Sequence, residues 1–392
     1  MTSMPLFLEV DHVQCRKHGQ DICGDAFKSK RLDDGARVLA VLSDGLGSGV
    51  KASILSGMTA AMALKFTASN MDFIHSAEIM MDALPVCQVR KISYATFTIV
   101  DCALDGRARI IEMDNPETLF LRCNKEQPLR YRKMVSPKWQ DRVLRVAETD
   151  TLPEDRVVLV SDGITQAGIG TKAWPLGWRE AGVNAFVTQL LNENPELSAH
   201  ALAERVIREA LEKEPRRTAQ DDMTCGVIYF RRPRNLLLLT GPPYDKSRDA
   251  EYARKLAEFA GKSVICGGTT AGIIARELGR EIRMDLKSLS DDMPPLSVMD
   301  GVDLVTEGIL TLTRAARMLE EQKTLPAHDP AARLASVLLE SDVIEFVVGS
   351  RINEAHQDPK LPMDLEIRRN IVRRLAGVLE KNYLKETSIT CI

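Results

Sequence analysis

The sequence predicts two folded regions of different class: an α+β domain with antiparallel sheets, followed by an α/β domain with a mostly parallel sheet. Its 392 residues suffice for two domains at roughly 100–200 residues each. Residues 1–232 contain more strand-like than helical segments, and Asp105-Gly106 separates two of them as a hairpin turn. Residues 235–392 instead alternate strand-like and helix-like segments, as βαβ units do. The polar, proline-broken stretch 231–234 is the predicted boundary.

Short apolar runs predict the strands of the first domain, and helical periodicity predicts its helices. One helix, at 51–66, would bury a face of mainly large apolar side chains. That face consists of Ile54, Leu55, Met58, Ala61 and Met62. The predicted strands are 37–43, 94–100, 107–113, 156–161 and 224–230, and the other predicted helices are 76–84 and 198–213.

The second domain alternates more regularly. Its loops at the carboxyl ends of parallel strands would share one edge of the sheet, where ligands usually bind. The predicted strands are 235–240, 263–266, 281–286, 302–306, 343–348 and 388–392. The predicted helices are 247–260, one from the 267–270 turn to 278, one after 306 that ends at 322, 331–339 and 365–384.

One loop of the second domain indicates an anion-binding site. Gly267, Gly268, Thr269 and Thr270 follow a strand and open a helix, so they would present free N–H groups and hydroxyls to an anion. A phosphorylated or carboxylated small molecule would suit this loop. An ordinary strand-to-helix turn with threonine N-caps is the alternative.

Composition excludes several classes of protein. Lys plus Arg number 52 and Asp plus Glu 55, a formal net charge of -3, so there is no basic surplus for binding nucleic acid. The N-terminus has no basic and apolar leader, and no apolar run reaches the roughly 20 residues of a membrane span. The 8 cysteines are scattered without a C-x-x-C pair, which predicts reduced thiols. We therefore expect a cytoplasmic protein without membrane or nucleic-acid partners.

Four aspartate-containing segments of the first domain carry the chemistry. At least two of these acids end a buried apolar run, where a carboxylate is unfavourable unless it is paired or bound to metal. Carboxylate ligands without a His or Cys cluster suit hard cations such as Mg²⁺ or Mn²⁺, and glycines after the acids would turn the backbone sharply. Two such ions about 3.5–4 Å apart can bind a phosphate and activate a bridging water for in-line attack. The segments are Gly24-Asp25, Ser43-Asp44-Gly45, Ser161-Asp162-Gly163 and Asp221-Asp222-Met223-Thr224.

The order of these segments resembles the SpoIIE-like branch of the PP2C (PPM) metal-dependent serine/threonine phosphatases. That branch has Gly-Asp, then Ser-Asp-Gly-hydrophobe-Gly-x-Gly before a helix with Ala and Ser, then Ser-Asp-Gly, then Asp-Asp-Met-Thr before the last strand. All four occur here in order, with Ala52 and Ser53 in the helix. The resemblance covers about residues 10–230 and implies a PP2C-like αββα sandwich with antiparallel sheets and two metal ions at one end.

The resemblance also implies a role for each acid. Asp44 would bridge the two ions, which we expect to be Mn²⁺ or Mg²⁺. The Gly45 carbonyl would be a further ligand, and Asp222 would lie behind the ligands or bind a weaker third ion. The catalytic and metal-binding carboxylates implied by the resemblance are Asp25, Asp44, Asp162 and Asp221.

The sequence differs from the eukaryotic members of the superfamily at two positions that would act on the substrate phosphate. Leu46 stands where those members carry His, so protonation of the leaving group would fall to water. Their basic phosphate-binding residue near the N-terminus has no certain counterpart, and Arg16 and Lys17 are the candidates.

The function that the resemblance implies is a phosphoserine/phosphothreonine protein phosphatase of bacterial signalling, with no covalent phosphoenzyme. Its substrate would be a phosphorylated protein, with an anti-sigma-factor antagonist as one candidate, and a homodimer is left open. Two other functions stay open: a weak or inactive phosphatase-fold sensor that binds a ligand through residues 235–392, and a small-molecule phosphatase. A dinucleotide-binding turn at Gly45-x-Gly47-x-Gly49 is disfavoured because the G-x-G-x-x-G fingerprint is incomplete.

Overall fold

The chain forms two compact units, one ending at Arg232 and the other beginning at Pro233, and each is described by itself. The computed structural model describes residues 6–32, 37–45, 47–83, 95–138, 143–285, 294–321, 329–351 and 361–392. Within these residues no helix combines the length and the apolar character needed to cross a membrane.

The first unit contains two antiparallel sheets, with strand orders β1-β11-β10-β6-β7 and β2-β3-β4-β5-β9-β8. The strands are β1 (Phe7–Cys15), β2 (Ala26–Arg31), β3 (Arg37–Gly45), β4 (Ala95–Ala103), β5 (Arg107–Met113), β6 (Leu119–Arg122), β7 (Lys125–Glu126), β8 (Arg132–Val135), β9 (Val143–Asp150), β10 (Arg156–Val160) and β11 (Met223–Arg231). The helices are α1 (Val50–Ala68), α2 (Phe73–Ala83), α3 (Asp162–Thr165), α4 (Arg179–Glu193) and α5 (Ala199–Lys213).

Helices cover one face of each sheet of this unit. Helices α4 and α5 pack on the sheet of β10 and β11 through side chains such as Val187 and Val206, and α1 and α2 pack on the sheet of β3 and β4. Between the sheets, Gly226 of β11 makes room for the Phe27 ring of β2, since a Cβ at Gly226 would lie 2.3 Å from that ring. The expected αββα sandwich with antiparallel sheets is therefore confirmed.

Several predicted elements of the first unit are confirmed. The predicted hairpin is formed by β4 and β5, and Gly106 in its turn has a φ of 90°. Helix α5 begins after Ser198, whose side chain accepts a hydrogen bond from the Ala201 N–H. The predicted ends at Leu84 and Tyr94 lie outside the described residues.

The predicted buried face of α1 is wrong. Ile54 and Met58 are 55% and 42% exposed, whereas Ala52, Ser56 and neighbouring small residues are buried. The helix lies so close to β3 that a Cβ at Gly45 would be 2.1 Å from the Ala52 carbonyl oxygen. The prediction assumed an ordinary distance between helix and sheet, and the close approach selects small side chains instead.

The second unit is built on one sheet of order β14-β15-β16-β13-β12-β17-β18. Its strands are β12 (Asn235–Thr240), β13 (Lys262–Cys266), β14 (Ile282–Met284), β15 (Ser297–Met299), β16 (Val302–Thr306), β17 (Val343–Val348) and β18 (Glu386–Cys391). Its helices are α6 (Asp249–Ala257), α7 (Gly268–Leu278), α8 (Ile309–Glu321), α9 (Pro330–Glu340) and α10 (Leu361–Tyr383).

The five neighbouring strands β16, β13, β12, β17 and β18 run parallel to one another. At one edge of the sheet, β15 pairs antiparallel with β16, and β14 pairs antiparallel with β15. Helices α8, α9 and α10 cover one face and α6 and α7 the other, with Leu236 and Leu237 of β12 facing opposite clusters. The mostly parallel sheet is therefore confirmed. The antiparallel β15 was missed because its three residues are too few for an alternation pattern.

Candidate active site

The predicted acids gather around one end of β10 and β11. Asp162 is the first residue of α3, directly after β10, and Asp222 precedes β11. Asp25 precedes β2, while Asp44 lies within β3 and is still paired with Thr96. The charges of Asp25, Asp162 and Asp221 all act on the Asp44 carboxyl. The fold therefore brings together acids that are far apart in the sequence.

Hydroxyl groups connect the two sheets at this point. The Thr224 hydroxyl donates a hydrogen bond of 2.7 Å to Asp25 Oδ2, and Gln14 Nε2 donates one of 3.0 Å to the Thr224 hydroxyl oxygen. The Thr224 N–H donates to Ser161 Oγ at 2.9 Å. These three polar residues form a chain of hydrogen bonds that holds Asp25, and the sequence assigned them no role, although Ser161 and Thr224 lie in the segments it singled out.

The acids strongly perturb one another. Burial, followed by repulsion from Asp25 and Asp162, raises the pKa of Asp44 to about 9. Burial also raises the pKa of Asp25 to about 6, against the effect of the Thr224 and Ser161 hydroxyls, and it raises the pKa of Asp162. Asp44 and Asp162 act on each other in opposite directions, since the contact raises the pKa of Asp44 and opposes the rise at Asp162. These groups cannot all be ionised near neutral pH without added positive charge.

Asp221 and Asp222 form the outer part of the cluster. The Lys17 N–H donates to Asp222 Oδ1 at 3.0 Å, and Lys17 Nζ lies 3.6 Å from Asp221 Oδ1. The other oxygen of Asp222, Oδ2, is buried and receives no N–H or O–H hydrogen bond from the described residues. Gly24 passes so close that a Cβ there would lie 2.7 Å from this oxygen. Lys17 is thus a cation that the chain places beside these acids.

The glycines that follow the acids serve close packing. Neither Gly45 nor Gly163 has a positive φ, so neither glycine is required there by a left-handed backbone conformation. A Cβ at Gly163 would lie 2.1 Å from the Asp222 carbonyl oxygen, as one at Gly45 would from the Ala52 carbonyl oxygen. A side chain at either position would push apart the segments that carry the acids.

The residues of the cluster fit a hard divalent cation by their chemistry. Their side-chain donors are carboxylate oxygens, which hard cations prefer. The raised pKa of Asp44 indicates that a nearby cation would stabilise its ionised form. Asp222 Oδ2 also receives no N–H or O–H hydrogen bond from the described residues. Among the described residues, no three Asp, Glu, His or Cys side chains are already grouped closely enough to hold an ion. The cluster therefore has suitable oxygen donors, but among the described residues these donors do not yet converge on one point as the ligands of a bound ion do.

A comparison with protein families decides the family. The family model for stage II sporulation protein E (SpoIIE) matches residues 34–231. The chain belongs to the SpoIIE family. Asp44, Asp162, Asp221 and Asp222 lie within the matched range, whereas Asp25 precedes it.

Solved structures of similar fold are phosphatase domains and related regulators. The phosphatase domain of the cell fate determinant SpoIIE from Bacillus subtilis is 15% identical, with a TM-score of 0.45 over 59% of this chain and 95% of that one. The RsbU and RsbW domains of a Mycobacterium tuberculosis protein are 17% identical, with a TM-score of 0.48 over 66% and 71%. RsbX in complex with magnesium is 14% identical, with a TM-score of 0.37 over 57% and 95%. Comparison with curated protein sequences gave no match.

Three residues near the acids were singled out from the sequence for their relation to the substrate phosphate, namely Leu46, Arg16 and Lys17. Leu46 lies outside the described residues. Arg16 Nη1 donates to the Asp21 carbonyl oxygen at 3.1 Å on the surface. Of the two candidate phosphate-binding residues, Lys17 is thus the one seen in an ion pair with an acid of the cluster.

The predicted anion-binding loop lies in the second unit, outside the SpoIIE match. Gly267 follows β13 with a φ of 129°, and α7 begins at Gly268. Thr269 is exposed and Thr270 is buried. Burial raises the pKa of the Cys266 thiol at the end of β13, and the charge of the nearby Glu307 raises it further. An anion at this loop would have that carboxylate as a neighbour, and the anion-binding role stays a prediction.

Proposed function

We propose that residues 1–232 form a metal-dependent phosphoserine/phosphothreonine protein phosphatase. The observation that supports it most is the set of buried and half-buried, mutually repelling carboxylates around Asp44. A purely structural role would not need several acids at one place, because buried carboxylates are unfavourable without partners. Membership of the SpoIIE family supports the same proposal.

Two Mn²⁺ or Mg²⁺ ions would be held by Asp25, Asp44, Asp162, Asp221 and the Gly45 carbonyl, with Asp222 behind them or at a third ion. Such ions supply Lewis-acid chemistry, since they neutralise a phosphate and lower the pKa of a water molecule. The chain itself holds the acids in place. The Thr224 hydroxyl fixes one oxygen of Asp25, and the amide of Gln14 orients that hydroxyl.

Lys17 contributes the positive charge of the chain at the edge of the site. Its side chain is 37% exposed, and its Nζ lies 3.6 Å from Asp221 Oδ1. A partly exposed lysine at this position can attract the phosphate of a substrate, and it partly compensates Asp221 in the metal-free protein.

The substrate class is a phosphorylated protein of a bacterial signalling pathway, with an anti-sigma-factor antagonist as the candidate that the family resemblance favours. Two-metal chemistry does not itself select proteins over small phosphate esters. Comparison of the phosphoproteome with and without the protein distinguishes the two: a protein phosphatase leaves defined phosphoserine or phosphothreonine sites enriched in its absence.

The activity is tested with the purified full chain, an aryl phosphate and a phosphothreonine peptide. We expect hydrolysis with Mn²⁺, none with EDTA, and a loss of more than about 100-fold in Asp44→Asn, since even the outer partners of metal ligands contribute 10–100-fold. Asp105→Asn is the matched control because Asp105 lies in the exposed β4–β5 turn, paired with Arg107. Activity that survives EDTA or Asp44→Asn would contradict the proposal.

A catalytically weak phosphatase-fold sensor is the second candidate, because no three donors are already grouped among the described residues. Calorimetry with Mn²⁺ separates the candidates. The phosphatase binds divalent ions at the first unit and loses that binding in Asp44→Asn, whereas the sensor shows no tight divalent binding there. In the sensor, residues 235–392 would supply the ligand site, a role that stays a prediction.

A further inference from the structure

A groove of about 940 Å³ lies in the first unit, away from the five aspartates. One wall is the β6–β7 hairpin with the segment that follows it, and the other wall is one side of α4. We call it the acidic groove. It is lined along α4 by Ala181, Asn184, Ala185, Thr188, Gln189 and Asn192.

The shape of the acidic groove suits an extended segment. The lining positions on α4 recur every three or four residues, so they form one stripe along the helix. From Ala181 to Asn192 this stripe is about 16 Å long at 1.5 Å per residue, the length of about five residues of extended chain. Alanine at two of these positions leaves room for another chain. The opposite wall is an edge, since β7 is the outermost strand of its sheet.

The charged side chains that line the groove are mainly acidic. Its lining contains Glu117, Glu126, Glu180 and Glu193 but a single cationic side chain, Lys125. Among the described residues, Glu117 is paired with Arg145 at 3.4 Å, whereas no ion pair is formed by the other three.

Neutral groups orient these unpaired carboxylates. Asn184 Nδ2 donates to Glu126 Oε1 at 2.9 Å, and Gln189 Nε2 donates to Glu193 Oε1 at 3.0 Å. The Glu117 N–H donates to Glu180 Oε1 at 2.8 Å. Each bond engages one oxygen of a carboxylate and leaves its charge uncompensated. The groove therefore presents fixed negative charge to whatever enters it.

We propose that the acidic groove binds an extended segment of a partner protein that carries two or more lysine or arginine residues. The fit rests on charge complementarity with three uncompensated glutamates and on a length of about five residues. Nucleic acids and anionic lipid surfaces are repelled by the same charge. The proposal does not depend on phosphatase activity, because none of the five aspartates lines the groove.

The test uses the full chain as bait for a displayed library of random peptides, followed by fluorescence anisotropy with the selected peptides. We expect enrichment of lysine and arginine, and affinity that falls with salt. Ala185→Arg places bulk and positive charge at an exposed position in the middle of α4, and it should weaken binding about tenfold or more. The double variant Glu126→Gln with Glu193→Gln keeps the shape and should weaken binding in the same direction.

Glu204→Gln is the matched control, because Glu204 is an exposed glutamate of α5 outside the groove. Aryl phosphatase activity and the melting temperature should be unchanged in Ala185→Arg, which separates a docking effect from misfolding. Selected peptides without an excess of basic residues would overturn the proposal. So would basic peptides that bind Ala185→Arg and the double variant as tightly as the wild type.

Discussion

Strands β10 and β11 of the first unit connect two regions that treat buried charge in opposite ways. At the paired end, Arg231 Nε lies 2.7 Å from Glu9 Oε2, and the Arg156 guanidinium lies 3.6 Å from the centre of the Tyr229 ring. Arg156 also donates to the Pro195 carbonyl oxygen at 2.6 Å. At the acid end, the acids around Asp44 are accompanied by one partly exposed lysine ion pair.

The difference shows that the chain supplies an opposite charge for a buried group at one end, where Arg231 meets Glu9, whereas the acids at the other end mainly face one another. Arg156 and Arg231 are 1% and 5% exposed; Arg231 is paired with Glu9, whereas Arg156 lies against the Tyr229 ring and its Nε has no hydrogen-bond partner among the described residues. At the acid end the raised pKa of Asp44 records an imbalance. We interpret that imbalance as the requirement for cations from solution, which is the basis of the proposed function.

Removal of one partner at the paired end should have the largest effect on stability. Glu9→Gln removes the carboxylate that pairs with the buried Arg231, which we expect to lower the free energy of unfolding by about 3 kcal/mol. Urea unfolding followed by tryptophan fluorescence measures this, since Trp139, Trp174 and Trp178 all precede Arg232.

The matched control for this change is Glu148→Gln. Glu148 pairs with Arg109 at 2.8 Å on the surface, so its loss should change the free energy of unfolding by less than about 1 kcal/mol. Equal effects of Glu9→Gln and Glu148→Gln would show that burial does not distinguish the two pairs.

The acid end should respond in the opposite direction. Asp44→Asn replaces a repelled carboxyl by a neutral group of the same shape, so the metal-free protein should gain about 1 kcal/mol or more, ~2–4 °C in Tm. The pKa of Asp44 is raised to about 9 in the folded state, so this carboxyl binds its proton more tightly folded than unfolded. The stability of the metal-free wild type should therefore fall as pH rises from near 4 towards 9, and less steeply in the variant.

Thermal melts in EDTA at about pH 5 and about pH 8 measure this effect. Addition of Mn²⁺ should then stabilise the wild type and leave Asp44→Asn nearly unchanged, because a ligand stabilises the state that binds it. A variant that melts below the metal-free wild type would show that Asp44 supports the fold rather than opposing it.

Local patterns were sufficient for the fold class, and the family resemblance was sufficient to single out the acids that the fold brings together, while their roles stay a prediction. Apolar runs predicted strands such as β5 and β17, and the order of the Asp-Gly segments singled out the cluster. The sequence was insufficient for β2, whose residues Ala-Phe-Lys-Ser-Lys-Arg include few apolar ones, and for α4, which carries many polar ones. Burial of these elements depends on partners elsewhere in the chain.

The polar support of the site was also beyond sequence reasoning. Gln14 and Thr224 are separated by 210 positions and meet because β1 and β11 are neighbours in register. The buried face of α1 was missed for a related reason, because the close approach of Ala52 to Gly45 is a property of the packed structure. Neither the long-range register of strands nor the distance between a helix and a sheet is encoded in local periodicity.

The smallest effect is expected from an exposed pair between Asp11 of β1 and His200 of α5. His200 Nδ1 lies 3.3 Å from Asp11 Oδ2, and both side chains are largely exposed. The hydrogen bond to Asp11 raises the pKa of His200, although burial opposes it, and the charges of Glu204 and Glu9 act in the same direction as Asp11. For a base with a raised pKa, the stabilisation is complete below the unfolded value of 6.5 and is lost as pH rises through the folded value.

His200→Gln should therefore lower the free energy of unfolding by less than about 1 kcal/mol at about pH 5.5 and leave it unchanged at about pH 8. Urea unfolding at both pH values measures the difference, and added salt should reduce it because the pair is exposed. A loss that is equal at both pH values would assign His200 a packing role. A loss as large as that of Glu9→Gln would remove the distinction between buried and exposed pairs on which the comparison of the two ends depends.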